Sequence, residues 1–123
     1  MYSVLLVEDD DDYSELLELA LTDSGYQVKV ASRATKALKM IKQHDFDLIL
    51  CDVLMPEMDG FEFLLEVKAL NIKSKIIMMS GGGVEKTELY LENSTAAGCD
   101  AVLRKPFLMK ELTDLIHSPE INL

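Results

Sequence analysis

The chain has 123 residues, with 22 Asp and Glu against 12 Lys and Arg, a formal net charge of −10 and 49% hydrophobic residues. That length suits one domain burying roughly two thirds of its unfolded surface around a single core, and so apolar a composition excludes intrinsic disorder. The acidic balance excludes a basic surface for direct nucleic-acid binding, because neutralising phosphates needs clustered Lys and Arg.

The first strand is expected over 2–7, an aliphatic run ending at Val7. A helix follows in which Tyr13, Leu16, Leu17 and Ala20 share one face, closed by Ser24-Gly25. The second strand spans 27–31; the second helix, with Ser32 able to cap it, aligns Ala34, Ala37, Leu38 and Ile41. The third strand spans 47–51. After Pro56, Asp59-Gly60 opens a helix whose apolar side is read as Phe61, Leu64, Leu65 and Lys68. A fourth strand over 74–79 leads to 85–98, which has the weakest apolar stripe and is expected to be helical and the most mobile part. A fifth strand over 101–103 precedes a last helix marked by Leu108, Leu112, Leu115 and Ile116.

Five strands alternating with five helices give a repeated βα unit, hence an α/β domain with a mostly parallel sheet and helices on both faces. Strands buried on both sides read as continuous apolar runs, as these do. No linker or composition shift divides the chain, so 1–123 is expected to be one domain without an output domain. No run reaches the roughly 18 apolar residues of a membrane span, and Met1-Tyr2-Ser3 lacks the basic opening of a secretory signal. A cytoplasmic protein without membrane association is expected. Cys51 and Cys99 lack metal-site spacing and are read as buried small hydrophobes; His44 and His117 are read as solvent-facing.

Ligands of open α/β sheets bind beyond the carboxyl ends of the strands, and the residues there are chemically loaded. The first strand runs into Glu8-Asp9-Asp10-Asp11-Asp12, the third into Asp52, the fourth into Ser80-Gly81-Gly82-Gly83, and the fifth into Arg104-Lys105-Pro106. Asp10, Asp11 and Asp12 read as a solvated helix start favoured by the macrodipole. Glu8 and Asp9, beside a third carboxylate at Asp52, would repel one another unless a cation relieved them, and hard oxygen ligands suit Mg²⁺. Asp52 taken alone could simply turn the chain. Beside a metal-binding pair and Lys105 it becomes a candidate nucleophile for phosphoryl transfer, with Ser80 and Lys105 placed to bond the phosphoryl oxygens.

Val7-Glu8-Asp9, Asp52 with Met55-Pro56-Glu57-Met58-Asp59-Gly60, Ser80, and Lys105-Pro106-Phe107 together resemble the receiver domain of two-component response regulators, across essentially the whole chain. The resemblance implies a flavodoxin-like sheet of order 2-1-3-4-5. It implies Asp52 as phosphoacceptor, Glu8, Asp9, Asp52 and the backbone carbonyl of Leu54 as Mg²⁺ ligands, Ser80 as switch hydroxyl, Lys105 as phosphoryl anchor and a cis bond before Pro106. The implied partners are a histidine kinase or histidine phosphotransfer protein, and a downstream protein reading the surface of the fourth predicted helix, fifth strand and last helix. Such a module catalyses only its own phosphorylation and dephosphorylation. Two features depart from the pattern: Val102 stands where receivers usually carry an aromatic switch residue (Tyr, Phe or His), and the stretch from Ser80 to Lys105 is a few residues longer than usual and carries Gly81, Gly82 and Gly83, a loop that is the leading candidate for the moving part. The alternatives are a receiver-fold scaffold that does not switch and a small Mg²⁺-dependent phosphatase.

Overall fold

The computed structural model describes residues 1–55, 58–81 and 98–123. Its strands are β1 (Ser3–Val7), β2 (Gln27–Ala31), β3 (Leu48–Asp52), β4 (Lys75–Ser80) and β5 (Ala101–Arg104). All neighbouring pairs are parallel, in the order β2-β1-β3-β4-β5. The described helices are α1 (Asp11–Asp23), α2 (Ala34–Gln43), α3 (Gly60–Ala69) and α4 (Met109–Ile116). This is the flavodoxin-like topology expected above. The helix expected over 85–98, apart from Gly98, lies outside the described residues, as do Pro56, Glu57, Gly82 and Gly83.

Strand side chains alternate between two faces, and each face builds its own core. Leu5, Val7, Ile49, Cys51, Ile76 and Met78 pack with Ala34, Ala37 and Ile41 of α2 and Phe63, Leu64 and Val67 of α3. Val4, Leu6, Leu48, Leu50, Ile77 and Met79 pack with Leu17 and Leu21 of α1 and Leu112 and Ile116 of α4. β1 and β3 lie inside the sheet, which is why Val4 to Val7 and Leu48 to Cys51 are apolar without a break.

Several local expectations need correction. The buried side of α1 is Ser14, Leu17 and Leu21, and Leu16 is 69% exposed, so the inward stripe includes a small polar residue that an apolar count overlooks. The buried side of α3 is Gly60, Phe63, Leu64 and Val67; Leu65 and Lys68 point outward because the helix faces the sheet from its first glycine. Ser32 does not cap α2, whose N-cap is Arg33 in an extended conformation without a side-chain cap bond. Leu108 precedes α4 as its N-cap and is 70% exposed. Cys99 is only half-buried, whereas Cys51 is fully enclosed and burial pushes its thiol pKa well up.

Gly60 ties α3 to the end of β3. Its N–H donates to the Val53 carbonyl at 2.6 Å. A Cβ there would lie 2.5 Å from the Asp52 carbonyl oxygen and 2.6 Å from Val53 Cα, both backbone atoms that cannot swing aside. Gly25 differs: its φ of 96° favours glycine, yet the space around it is open. Gly60→Ala should therefore destabilise the fold by roughly 2–3 kcal/mol through overpacking, against about 1 kcal/mol of backbone strain for Gly25→Ala. Denaturant unfolding of the two variants measures this, and equal midpoints would contradict the close approach.

Candidate functional site

The ladder bonds of the sheet continue one residue past two strand ends. Glu8 N–H donates to the Ala31 carbonyl at 3.1 Å, and Lys105 N–H donates to the Ser80 carbonyl at 2.8 Å. Strand alternation therefore persists to the rim, and Glu8, Asp52 and Lys105 fall on the same face as Leu6, Leu50 and Leu103, the face covered by α1 and α4. They meet there. Lys105 Nζ donates to Glu8 Oε1 at 2.5 Å and to Asp52 Oδ2 at 3.3 Å. Ser80 has the opposite parity in β4, alongside Ile76 and Met78; it is 1% exposed.

Asp52 is the last residue of β3 and 8% exposed, and its Oδ1 accepts from the Leu54 N–H at 3.2 Å. That bond is the local turn a strand-ending Asp favours. It fixes the carboxylate while leaving the second oxygen toward Lys105. Glu8 is 1% exposed, and Asp9 is exposed at the mouth. One carboxylate oxygen from each of Glu8, Asp9 and Asp52 lies within 4.8 Å of the others.

Two carboxylates facing one ammonium in a buried place leave uncompensated negative charge. Glu8 absorbs the strain: burial, reinforced by the neighbouring Asp52 carboxylate and only partly offset by Lys105, raises its pKa from 4.5 to about 8. Burial pulls the Lys105 ammonium the other way, but the Glu8 hydrogen bond and the charges of Asp52 and Glu8 prevail and hold its pKa above the ordinary lysine value. Among the described residues, two buried side-chain polar atoms have no hydrogen-bond partner: Glu8 Oε2 and Ser80 Oγ. Buried polar atoms are seldom left unpaired. Three clustered carboxylates, one of which has an unpartnered oxygen, fit a divalent cation such as Mg²⁺.

The remaining predicted residues are less drawn together. Leu54 is 41% exposed. Gly81 is exposed beside the Lys105 stem; a Cβ on it would sit 3.2 Å from Lys105 Cβ. Val102 is half-buried against the α2 and α3 core. The Lys105-Pro106 bond is cis. Gly82 lies outside the described residues. Asp10 takes the bland role expected of it, capping α1 by accepting from the Tyr13 N–H at 3.1 Å.

The sequence reading missed Tyr13, which it took only as part of an apolar stripe. Lys105 Nζ lies 4.3 Å from the centroid of the Tyr13 ring, and Phe107 meets that ring edge-on with centroids 6.3 Å apart. The available signal was its place one turn past the acidic run, on the face of α1 turned to the sheet.

Glu8 makes stability depend on pH. Its pKa is higher folded than unfolded, so between pH 4.5 and about 8 the folded state binds more protons. Stability from this group is present below the unfolded value and is lost as pH rises through the folded one. Without divalent metal, unfolding free energy should fall from pH 5 to pH 8 by on the order of 2 kcal/mol more in the native chain than in Glu8→Gln. Denaturant melts across that range check it; parallel pH slopes would contradict it.

The profile of the response regulator receiver domain matches residues 4–117. Among curated proteins, the cell cycle transcriptional regulator CtrA of Caulobacter vibrioides is 31% identical over 115 residues, covering 94% of this chain and 48% of CtrA. The two-component response regulator ORR23 of rice is 40% identical over 114 residues, covering 91% of this chain and 16% of ORR23. The chain spans about half the length, or less, of the curated relatives it matches. Among solved structures, the Vibrio cholerae chemotaxis protein CheY4 superposes with a TM-score of 0.83 at 30% identity, covering 95% of this chain and 97% of that one. The Thermotoga maritima response regulator TrrA, solved in complex with Mg²⁺-BeF, gives 0.81 at 28% identity, covering 94% and 96%.

Proposed function

Because the chain belongs to the response regulator receiver domain family, a two-component signalling module whose members pair with histidine kinases, we propose that it accepts a phosphoryl group on Asp52 and switches a protein-binding surface in response. The observation that carries this reading is the Lys105 ammonium bonded to both Glu8 and Asp52 at the edge of a three-carboxylate cluster. Charge of this arrangement matches a phosphoryl transfer that needs an oxygen nucleophile, a cation and a fixed ammonium.

Glu8, Asp9 and Asp52, with the Leu54 carbonyl, would hold Mg²⁺. The bound ion would neutralise charge on the carboxylates and on the phosphoryl oxygens. Asp52 Oδ2 forms the new bond to phosphorus as the bond from phosphorus to the donor's nitrogen or oxygen breaks, and the donor leaves with that electron pair. The Asp52 Oδ1 bond to Leu54 N–H keeps the carboxylate from rotating away during the attack. Lys105 pairs with the added charge. Ser80, whose hydroxyl is buried and unpartnered, supplies a donor that gains a partner once the phosphoryl group is present. That gain biases a face that includes β5 and α4 toward a second conformation.

The donor is then a histidine kinase or a histidine phosphotransfer protein, and the reader a downstream protein bound at that face. Receiver domains are typically intracellular, which supports a cytoplasmic site of action; among the described residues no helix is long and apolar enough to cross a membrane. Chemical output is limited to the chain's own phosphorylation and hydrolysis.

Incubating the chain with Mg²⁺ and a small phosphoryl donor should add the mass of one phosphoryl group. Asp52→Asn should abolish the addition, and chelating the metal should slow it at least tenfold, a barrier change of about 1.4 kcal/mol. Intact-mass spectrometry reads all three. Labelling that persists in Asp52→Asn would refute the assignment.

A further inference from the structure

A lysine ammonium rides on a flexible four-carbon stem and holds one place only if several neighbours confine it. Lys105 has confinement on three sides. Glu8 and Asp52 take its charge on the sheet side. Its stem runs close against Gly81, where an added Cβ would be 3.2 Å from both Lys105 Cβ and Cδ. The third side is the face of Tyr13, 4.3 Å from Nζ, well inside the range in which an aromatic ring attracts a cation.

We propose that Tyr13 is a positioning residue: its ring face holds the Lys105 ammonium at the carboxylate rim, where the phosphoryl group is anchored. This inference rests on the proposed role of Lys105 and deepens it. The ring is itself held in place. Asp10 accepts its backbone N–H and fixes the first turn of α1, and Phe107, two residues beyond Lys105, braces it edge-on at 87°. Tyr13 and Phe107 both pack against the α1 and α4 core.

The ring matters most when the site is loaded. Glu8, the nearer carboxylate partner of Lys105, would also hold the divalent ion, and sharing its charge with that ion would weaken its hold on the ammonium. The ring contact involves no metal ligand and survives that change. It keeps the ammonium from swinging to solvent between metal binding and arrival of the phosphoryl group. The contribution comes from the π face, so Phe serves as well as Tyr and an aliphatic residue does not.

The test measures beryllofluoride affinity in saturating Mg²⁺ by calorimetry, with Mg²⁺ affinity alone as a second readout. The proteins are wild type, Tyr13→Phe, Tyr13→Leu, Lys105→Met, and the Tyr13→Leu/Lys105→Met pair. Tyr13→Leu should weaken beryllofluoride binding about tenfold while Mg²⁺ binding persists, which also shows that the variant is folded. Tyr13→Phe should bind like wild type, and Tyr13→Leu should have no further effect once Lys105 is Met. Wild-type affinity in Tyr13→Leu, or the same loss with and without Lys105, overturns the positioning role while leaving the site itself intact. Lys105→Met binding beryllofluoride as tightly as wild type overturns the anchoring role of Lys105, and this inference falls with it.

Discussion

The site is organised by one electrostatic constraint: the Lys105 ammonium faces both Glu8 and Asp52, and a single positive charge cannot satisfy two buried carboxylates. Such a cluster is a poor way to gain stability. A buried ion pair adds little over apolar packing, whereas leaving one charge unpaired costs about 3–5 kcal/mol. What the arrangement supplies is a standing deficit of positive charge, expressed in the raised pKa of Glu8 and in its unpartnered Oε2. A divalent cation held by these carboxylates would remove that deficit and, under the proposed function, would leave Lys105 free to interact with added negative charge.

The backbone makes this convergence possible without long loops. Glu8, Asp52 and Lys105 are far apart in sequence, yet each ends or directly follows a parallel strand, and ladder hydrogen bonds carry the strand alternation to the rim. Parallel strands place all their carboxyl ends at one edge, so β1 and β3, which are neighbours, and β5, one strand further along the order β1-β3-β4-β5, contribute groups that meet at the rim. Gly60 locks α3 against the Asp52-Val53 backbone from the other face. Rigidity behind Asp52 and an exposed Asp9 beside it suit the proposed role of Asp52 as a carboxylate that is modified and restored.

The apolar runs made the strands legible in the sequence, because a strand buried on both sides cannot hide its composition. β2 was found without error and the others to within a residue or two. Helix faces were harder. In α1 the inward position Ser14 is polar, bonded to the Asp11 carbonyl, while Leu16 and Leu19 face solvent; hydropathy alone assigns both the wrong way. In α3 the inward position Gly60 has no side chain to count. The rim carboxylates and Lys105 were visible because charge directly after an apolar strand is conspicuous. Tyr13 was not, since an aromatic ring on an inward helix face looks the same whether it fills a core or covers an ammonium.

Paramagnetic Mn²⁺, added stepwise while backbone amide signals are followed by NMR, tests the central claim most directly, because broadening marks the residues nearest the ion. The account predicts that signals from three separate strand ends, those of Glu8, Val53, Leu54 and Lys105, broaden together at the lowest concentrations. Broadening that begins along Asp10, Asp11 and Asp12 and spares Val53 and Lys105 would mean that the ion prefers the exposed start of α1, and the rim would then not be a cation site.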